Sequence, residues 1–192
     1  HQQGHPIVLA FNFHPMLRSN SDPVILNKDA EAVAANLSTL LHRHPEVAVA
    51  LVPHDDRNRI SDNTVLEIVA RKLADAGLSD RIHYRPFVPR SAQLKAIAGL
   101  FQGVISSRMH FAIASLGMGI PVMAADYQDK FEGLFEHFAL PKNYILSPSD
   151  FCNSKFLDTA ELFINNLDAL RATVQKNLPT VMSLSAANFN PA

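Results

Sequence analysis

Residues 104–133 read VISSRMHFAIASLGMGIPVMAADYQDKFEG, and within this stretch an apolar run gives way to a helical pattern and then returns. Residues 104–107 form a short run of the kind a strand buried on both faces shows. Met109, Ala112, Ile113 and Leu116 then recur at helical spacing. Gly117 and Gly119 stop that helix, and residues 121–125 (PVMAA) supply the next strand. Two buried strands joined by a short helix make a right-handed βαβ unit.

The same alternation extends outward in both directions. Residues 7–13 (IVLAFNF) and 47–52 (VAVALV) are further buried-strand runs, and residues 82–87 a weaker one. Between the first two, Ala30, Val33, Ala34, Leu37 and Leu41 mark a helix with His42, Arg43 and His44 near its end and Pro45 beyond, a cationic stop signal. Residues 62–77 place Leu66, Val69, Leu73 and Ala76 on one face, with Asp62 read as N-cap and Gly77 as C-cap. A helix is expected over 91–99 and another over 131–138, with a final strand at 144–146. The last helix is expected from about Asp158, with Phe163, Leu167, Leu170 and Val174 along its seam and Pro179 kinking or ending it. The expected fold is therefore α/β: one doubly wound, Rossmann-like domain over residues 1–192 with a parallel sheet and a loose tail at 187–192. In such a sheet ligands sit beyond the carboxyl ends of the strands, which singles out the loops 12–18, 53–62, 87–90, 106–110 and 126–130.

Composition narrows the function. The 192 residues are 47% apolar and 18% charged, with 17 basic against 18 acidic side chains. That balance rules out disorder and removes the basic excess that nucleic-acid binding needs. No apolar stretch approaches the ~20 residues of a membrane helix. The single Cys152 has no internal disulfide partner and points to a reducing compartment. The start, His1-Gln2-Gln3-Gly4-His5, shows neither a signal peptide nor an initiator methionine and fits a piece of something longer. Phosphate-loop, G-x-G-x-x-G and G-x-S-x-G signatures are absent.

Arg108 and His110 fall at a strand-to-helix junction, where backbone N–H groups and the helix dipole favour an anion. Arg108 adds a planar fork suited to a carboxylate or phosphate. Lys130, after the next strand, reaches the same rim. Together they suggest a small anionic ligand, with Arg108 and His110 flanking it above the helix tip. His14 and Arg18, after the first strand, and His54, after the second, are further candidates for substrate contact. Tyr127 either packs over the ligand or covers the sheet edge. His54 with Asp55 and Asp56 matches no established metal-ligand spacing, so no metal is expected. Asp62 is more simply a helix cap, His42 and His44 serve a helix end, and His83 is structural.

The pattern Ser106-Ser107-Arg108-Met109-His110, then Gly119-Ile120-Pro121, then Tyr127-Gln128-Asp129-Lys130 and Gly133 resembles the C-terminal signature of the polysaccharide pyruvyl transferase family. The resemblance implies one half of a two-domain GT-B architecture, the N-terminal half being absent from this chain. It also implies transfer of a pyruvyl group from phosphoenolpyruvate to sugar hydroxyls of a bacterial cell-surface glycan or its lipid-linked precursor, forming a ketal. The family's Arg-x-His motif is associated with phosphoenolpyruvate, which carries over to Arg108, Met109 through its backbone, and His110. His110 is then the candidate for one of the two acid–base roles, because a histidine titrates near neutrality in water. The second role is left unassigned. No cofactor is implied beyond the donor itself. The expected place is the cytoplasm, with attachment to the inner face of the membrane where acceptors are lipid-linked. One rival reading is a GT-B glycosyltransferase or epimerase half whose nucleotide-sugar diphosphate occupies the same helix tip. Another is a non-catalytic binding domain.

Overall fold

The computed structural model describes residues 7–15, 22–55, 61–126 and 130–187. Its first strand, β1 (Ile7–Asn12), takes a central place. β2 (Val47–Leu51) and β3 (Ile82–Tyr84) follow on one side. β4 (Gly103–Ser106), β5 (Val122–Ala125) and β6 (Ile145–Leu146) follow on the other. All pairings are parallel and the order is β3-β2-β1-β4-β5-β6. This is the doubly wound α/β arrangement expected, with the order reversing between β1 and β4.

α1 (Pro23–Arg43) begins as a helix should. The Asp22 side chain accepts from the Val24 N–H and Pro23 opens the first turn. Its buried stripe runs Leu26, Ala30, Val33, Leu37, Leu41, and its last turn carries His42 and Arg43. α1 packs on α2 (Asp62–Asp75) and on α7 (Ser154–Asn165); α3 (Ser91–Ala98) packs on α4 (Met109–Leu116). Right-handed crossovers outward from β1 in both directions put these two groups on opposite faces of the sheet. α5 (Phe131–His137), α6 (Pro148–Phe151) and α8 (Leu167–Ala187) complete the described helices. Under α1 and α7, Phe11 and Phe13 stack on Phe151, which meets Phe156 edge-on; all four are fully buried.

Two glycines are required by geometry. A Cβ on Gly103 would lie 2.7 Å from Leu167 Cδ2 and 2.8 Å from Phe163 Cε1, so its absence lets the junction of α7 and α8 lie against the start of β4. Gly119 takes φ +77° in the turn from α4 into β5, a conformation costly for any residue with a Cβ.

Several expected boundaries are corrected. The last helix is two helices. Asn153 caps α7 by accepting from the Lys155 N–H, and the chain breaks at Asn166, whose side-chain amide donates to the Leu162 carbonyl. Pro179 does not end α8. That part of the helix lies on the surface, where water can serve the carbonyl that the proline ring leaves without a donor. Asp62 is not the N-cap of α2. Ser61 is, with its N–H donating to Thr64 Oγ1 at 3.3 Å. β3 stops at Tyr84 rather than reaching Phe87, and Tyr144 belongs to a 3-10 turn before β6. Cys152 closes α6 and is half-buried against the core. Ala187 ends α8, and the rest of the expected tail lies outside the described residues. No described helix is long and apolar enough to cross a membrane.

Candidate functional site

The reversal of strand order opens a crevice where Asn12, at the end of β1, stands opposite Ser106, at the end of β4. Ser106 Oγ accepts from the Arg108 N–H at 2.9 Å, which turns the chain and makes Arg108 the N-cap residue of α4. The Arg108 carbonyl accepts from Phe111 and Ala112, leaving Met109 and His110 in the first turn, where N–H groups lack intrahelical partners. Across the crevice the His14 N–H donates to Ser107 Oγ at 2.6 Å, tying the loop after β1 to the loop after β4.

Beneath this rim lies a buried carboxylate. Asp62 is fully buried and accepts from Asn12 Nδ2 and the His54 backbone N–H, each at 2.9 Å, and from Arg108 Nε at 3.2 Å and Nη2. The Arg108 Nη1 lies 3.7 Å from Asp55 Oδ2. Asp62 therefore gathers β1, the loop after β2 and the loop after β4 onto one anion. A buried charge is tolerable in this way only when fully paired. The sequence reading of Arg108 as a fork open to ligand is corrected to this extent: its Nε–Nη2 edge belongs to Asp62, and what faces the crevice is the rest of the guanidinium.

Six of the eight residues proposed from sequence, His14, His54, Arg108, Met109, His110 and Lys130, line one cavity of about 220 Å³ together with Ser107, Asp55, Asp126 and Phe131. Arg18 and Tyr127 lie outside the described residues. Lys130 precedes α5, and Asp126 Oδ2 accepts from the Phe131 N–H at 2.7 Å to set that loop. The rings of His54 and His110 lie parallel, 6.2 Å between centroids and 9° between planes. Sequence reasoning missed Asn12 and Ser107 and undervalued Asp62 and Asp55. The signal available was a polar residue inside a strand run, at Asn12 within residues 7–13 and at Ser107 within residues 104–107. Among the described residues no three His, Cys, Asp or Glu side chains form a group that could hold a metal ion.

Burial, then the Arg108 charge, pushes His14 down from 6.5 to about 4, and the same causes in the same order lower His54. Above pH 6.5 neither folded nor unfolded His14 carries a proton and its contribution to stability is complete. As pH falls from 6.5 towards about 4 the unfolded chain protonates first and that stability is lost. With allowance for a ring partly open to water, this amounts to about 1–2 kcal/mol. Urea titrations between pH 7 and pH 4 are expected to show a His14→Gln variant losing less stability than the unaltered chain. Equal losses would contradict the assignment.

A family model described as polysaccharide pyruvyl transferase matches residues 8–129. The chain belongs to the polysaccharide pyruvyl transferase family. The matched segment of the family domain runs from β1 through β5 and contains every residue of the 220 Å³ cavity except Lys130 and Phe131. No curated protein sequence matches the chain. Solved structures similar in fold include the C-terminal domain of a glycosyl transferase group 1 family protein (LpcC) from Francisella tularensis, at 14% identity and TM-score 0.61, with 92% of this chain and 85% of that one covered. The S. aureus MnaA–UDP co-structure is similar at 15% identity and TM-score 0.59, covering 90% of this chain and 41% of that one. The K341M mutant of Thermobaculum terrenum O-GlcNAc transferase gives 15% and 0.57, covering 91% and 32%. The fold of this chain is thus Rossmann-like and similar to that of GT-B glycosyltransferase and epimerase domains. This chain spans about a third of the length of the last of these proteins and two fifths of MnaA.

Proposed function

We propose that this domain holds phosphoenolpyruvate in the crevice between β1 and β4 for pyruvyl transfer to a sugar of a cell-surface glycan or its precursor. The observation that carries the reading is the convergence of Arg108, His110, Lys130, His14 and His54 on one cavity of about 220 Å³ at the switch point of the sheet. Phosphoenolpyruvate presents a phosphate and a carboxylate. The guanidinium face left by Asp62, the Lys130 ammonium and the first turn of α4 supply positive ends for both. Two sugar hydroxyls add in turn at the central carbon. A proton goes onto the methylene carbon, making it a methyl group, and the first hydroxyl oxygen bonds to the central carbon and loses its proton. The carbon–oxygen bond to phosphate then breaks, the second hydroxyl adds and loses its proton, and inorganic phosphate carries away the remaining proton. The acid and base required include His110 in one role. A glycan precursor carried on lipid would place this work at the cytoplasmic face of the membrane.

Calorimetric titration of the 192-residue chain with phosphoenolpyruvate and, separately, with a uridine diphosphate sugar tests the reading. Phosphoenolpyruvate is expected to bind, and His110→Ala is expected to weaken it about tenfold, the loss of one hydrogen bond to a charged group. Binding of the nucleotide sugar alone would transfer the site to the rival glycosyltransferase or epimerase reading.

A further inference from the structure

A second and larger cavity, about 640 Å³, opens beside the first and shares His54, Asp55 and His110 with it. Its size lies within the ~300–1,000 Å³ of small-molecule sites. It is cut between two helices. From α4, His110, Ile113, Ala114 and Gly117 face it, a run of i, i+3, i+4 and i+7; from α3, Ser91, Leu94 and Lys95 face it. The stripe on α4 is the anomaly. α4 buries Phe111, Ala112 and Leu116 in the core, yet Ile113, one turn from His110, remains 46% exposed because this face of the helix meets open groove. Aliphatic floor and polar edge are both present, and among the described residues no Phe, Tyr or Trp lines the groove.

We propose that this groove is the subsite for the acceptor, and that it takes a hexopyranose ring; the assignment rests on the donor reading of the smaller cavity. A pyranose has apolar C–H faces and a rim of hydroxyls, which matches Leu94, Ile113 and Ala114 below and Ser91 and Lys95 at the edge. The shared wall, the parallel rings of His54 and His110, is where the hydroxyls of such a ring would meet the three-carbon donor.

The test is saturation-transfer NMR on the 192-residue chain with methyl glucoside, methyl galactoside, methyl mannoside and uridine, alongside calorimetry with phosphoenolpyruvate. At least one glycoside is expected to receive saturation. Ile113→Trp, which fills the groove from an exposed position, is expected to reduce that signal at least fivefold while leaving phosphoenolpyruvate affinity unchanged. Lys95→Trp, on the exposed side of α3, gives the same reading from the opposite wall should the first variant fold poorly. Silence of all three glycosides while phosphoenolpyruvate binds would overturn the groove assignment alone, as would an undiminished glycoside signal in the folded variants or a loss confined to uridine. Failure of phosphoenolpyruvate to bind would overturn the donor reading and the acceptor role with it.

Discussion

An Asp62→Ala chain is expected to lose about 3–5 kcal/mol of folding free energy, the usual cost of removing one partner from a buried ion pair. The reason lies in how many groups depend on that carboxylate. Asn12 Nδ2, the His54 N–H and the Nε and Nη2 of Arg108 all donate to it, and Asp62 itself is fully buried. Without it the Nε and Nη2 of Arg108 and the His54 backbone N–H lose the acceptor they share. Asp62→Asn keeps the shape and one acceptor oxygen but loses the charge, so an intermediate loss is expected. Urea denaturation followed by circular dichroism measures both. A loss below about 1 kcal/mol in the alanine variant would mean that the network is ornamental.

Arg108→Gln is expected to weaken phosphoenolpyruvate binding about a hundredfold, within the range seen when one member of a buried, hydrogen-bonded charge pair is truncated. A second readout separates this from simple unfolding. The Arg108 charge is the second cause, after burial, holding His14 at about 4 and lowering His54. With that charge gone, both rings are expected to titrate higher in histidine NMR, while burial still keeps them below the ordinary value. Weakened binding with unmoved histidines would show that Arg108 acts at a distance from the crevice. Combined with Asp62→Ala, the two losses are expected to be less than additive, since each substitution removes the same contact.

Much of this molecule could be read along the chain. The continuous apolar runs at β1 and β2 and the helical stripe of α1 are local patterns, set by the 2.0 and 3.6 residue periods of strand and helix. So is the alternation that makes the sheet parallel, and the rule that ligands meet it at the carboxyl ends of the strands led to His14, His54, Arg108 and Lys130 before any coordinates. Local reading left open whether Pro179 kinks or ends its helix, which continues past it, and missed the break at Asn166. Whether a proline is tolerated depends on whether water reaches the carbonyl one turn back, and a break in a helix depends on what the two halves pack against.

The residues that build the crevice were divided in the same way. Arg108 and His110 announce themselves by type and by their place at a helix start, and no partner has to be known to suspect them. Asp62 does not, because eight residues after His54 and forty-six before Arg108 it looks like any acidic residue opening a helix. Its role arises only when β1, β2 and β4 lie side by side and the sheet removes it from water. Desolvation then makes the carboxylate bind whatever donors the neighbouring strand ends present, and that is a property of the packed molecule rather than of the chain. The alternation of strands and helices, and the placing of Arg108, His110 and Lys130 in loops that follow strands, were therefore written in the one-dimensional pattern. Which edge of the guanidinium is spent, which histidines stay neutral and how two cavities share a wall were decided by burial in three dimensions.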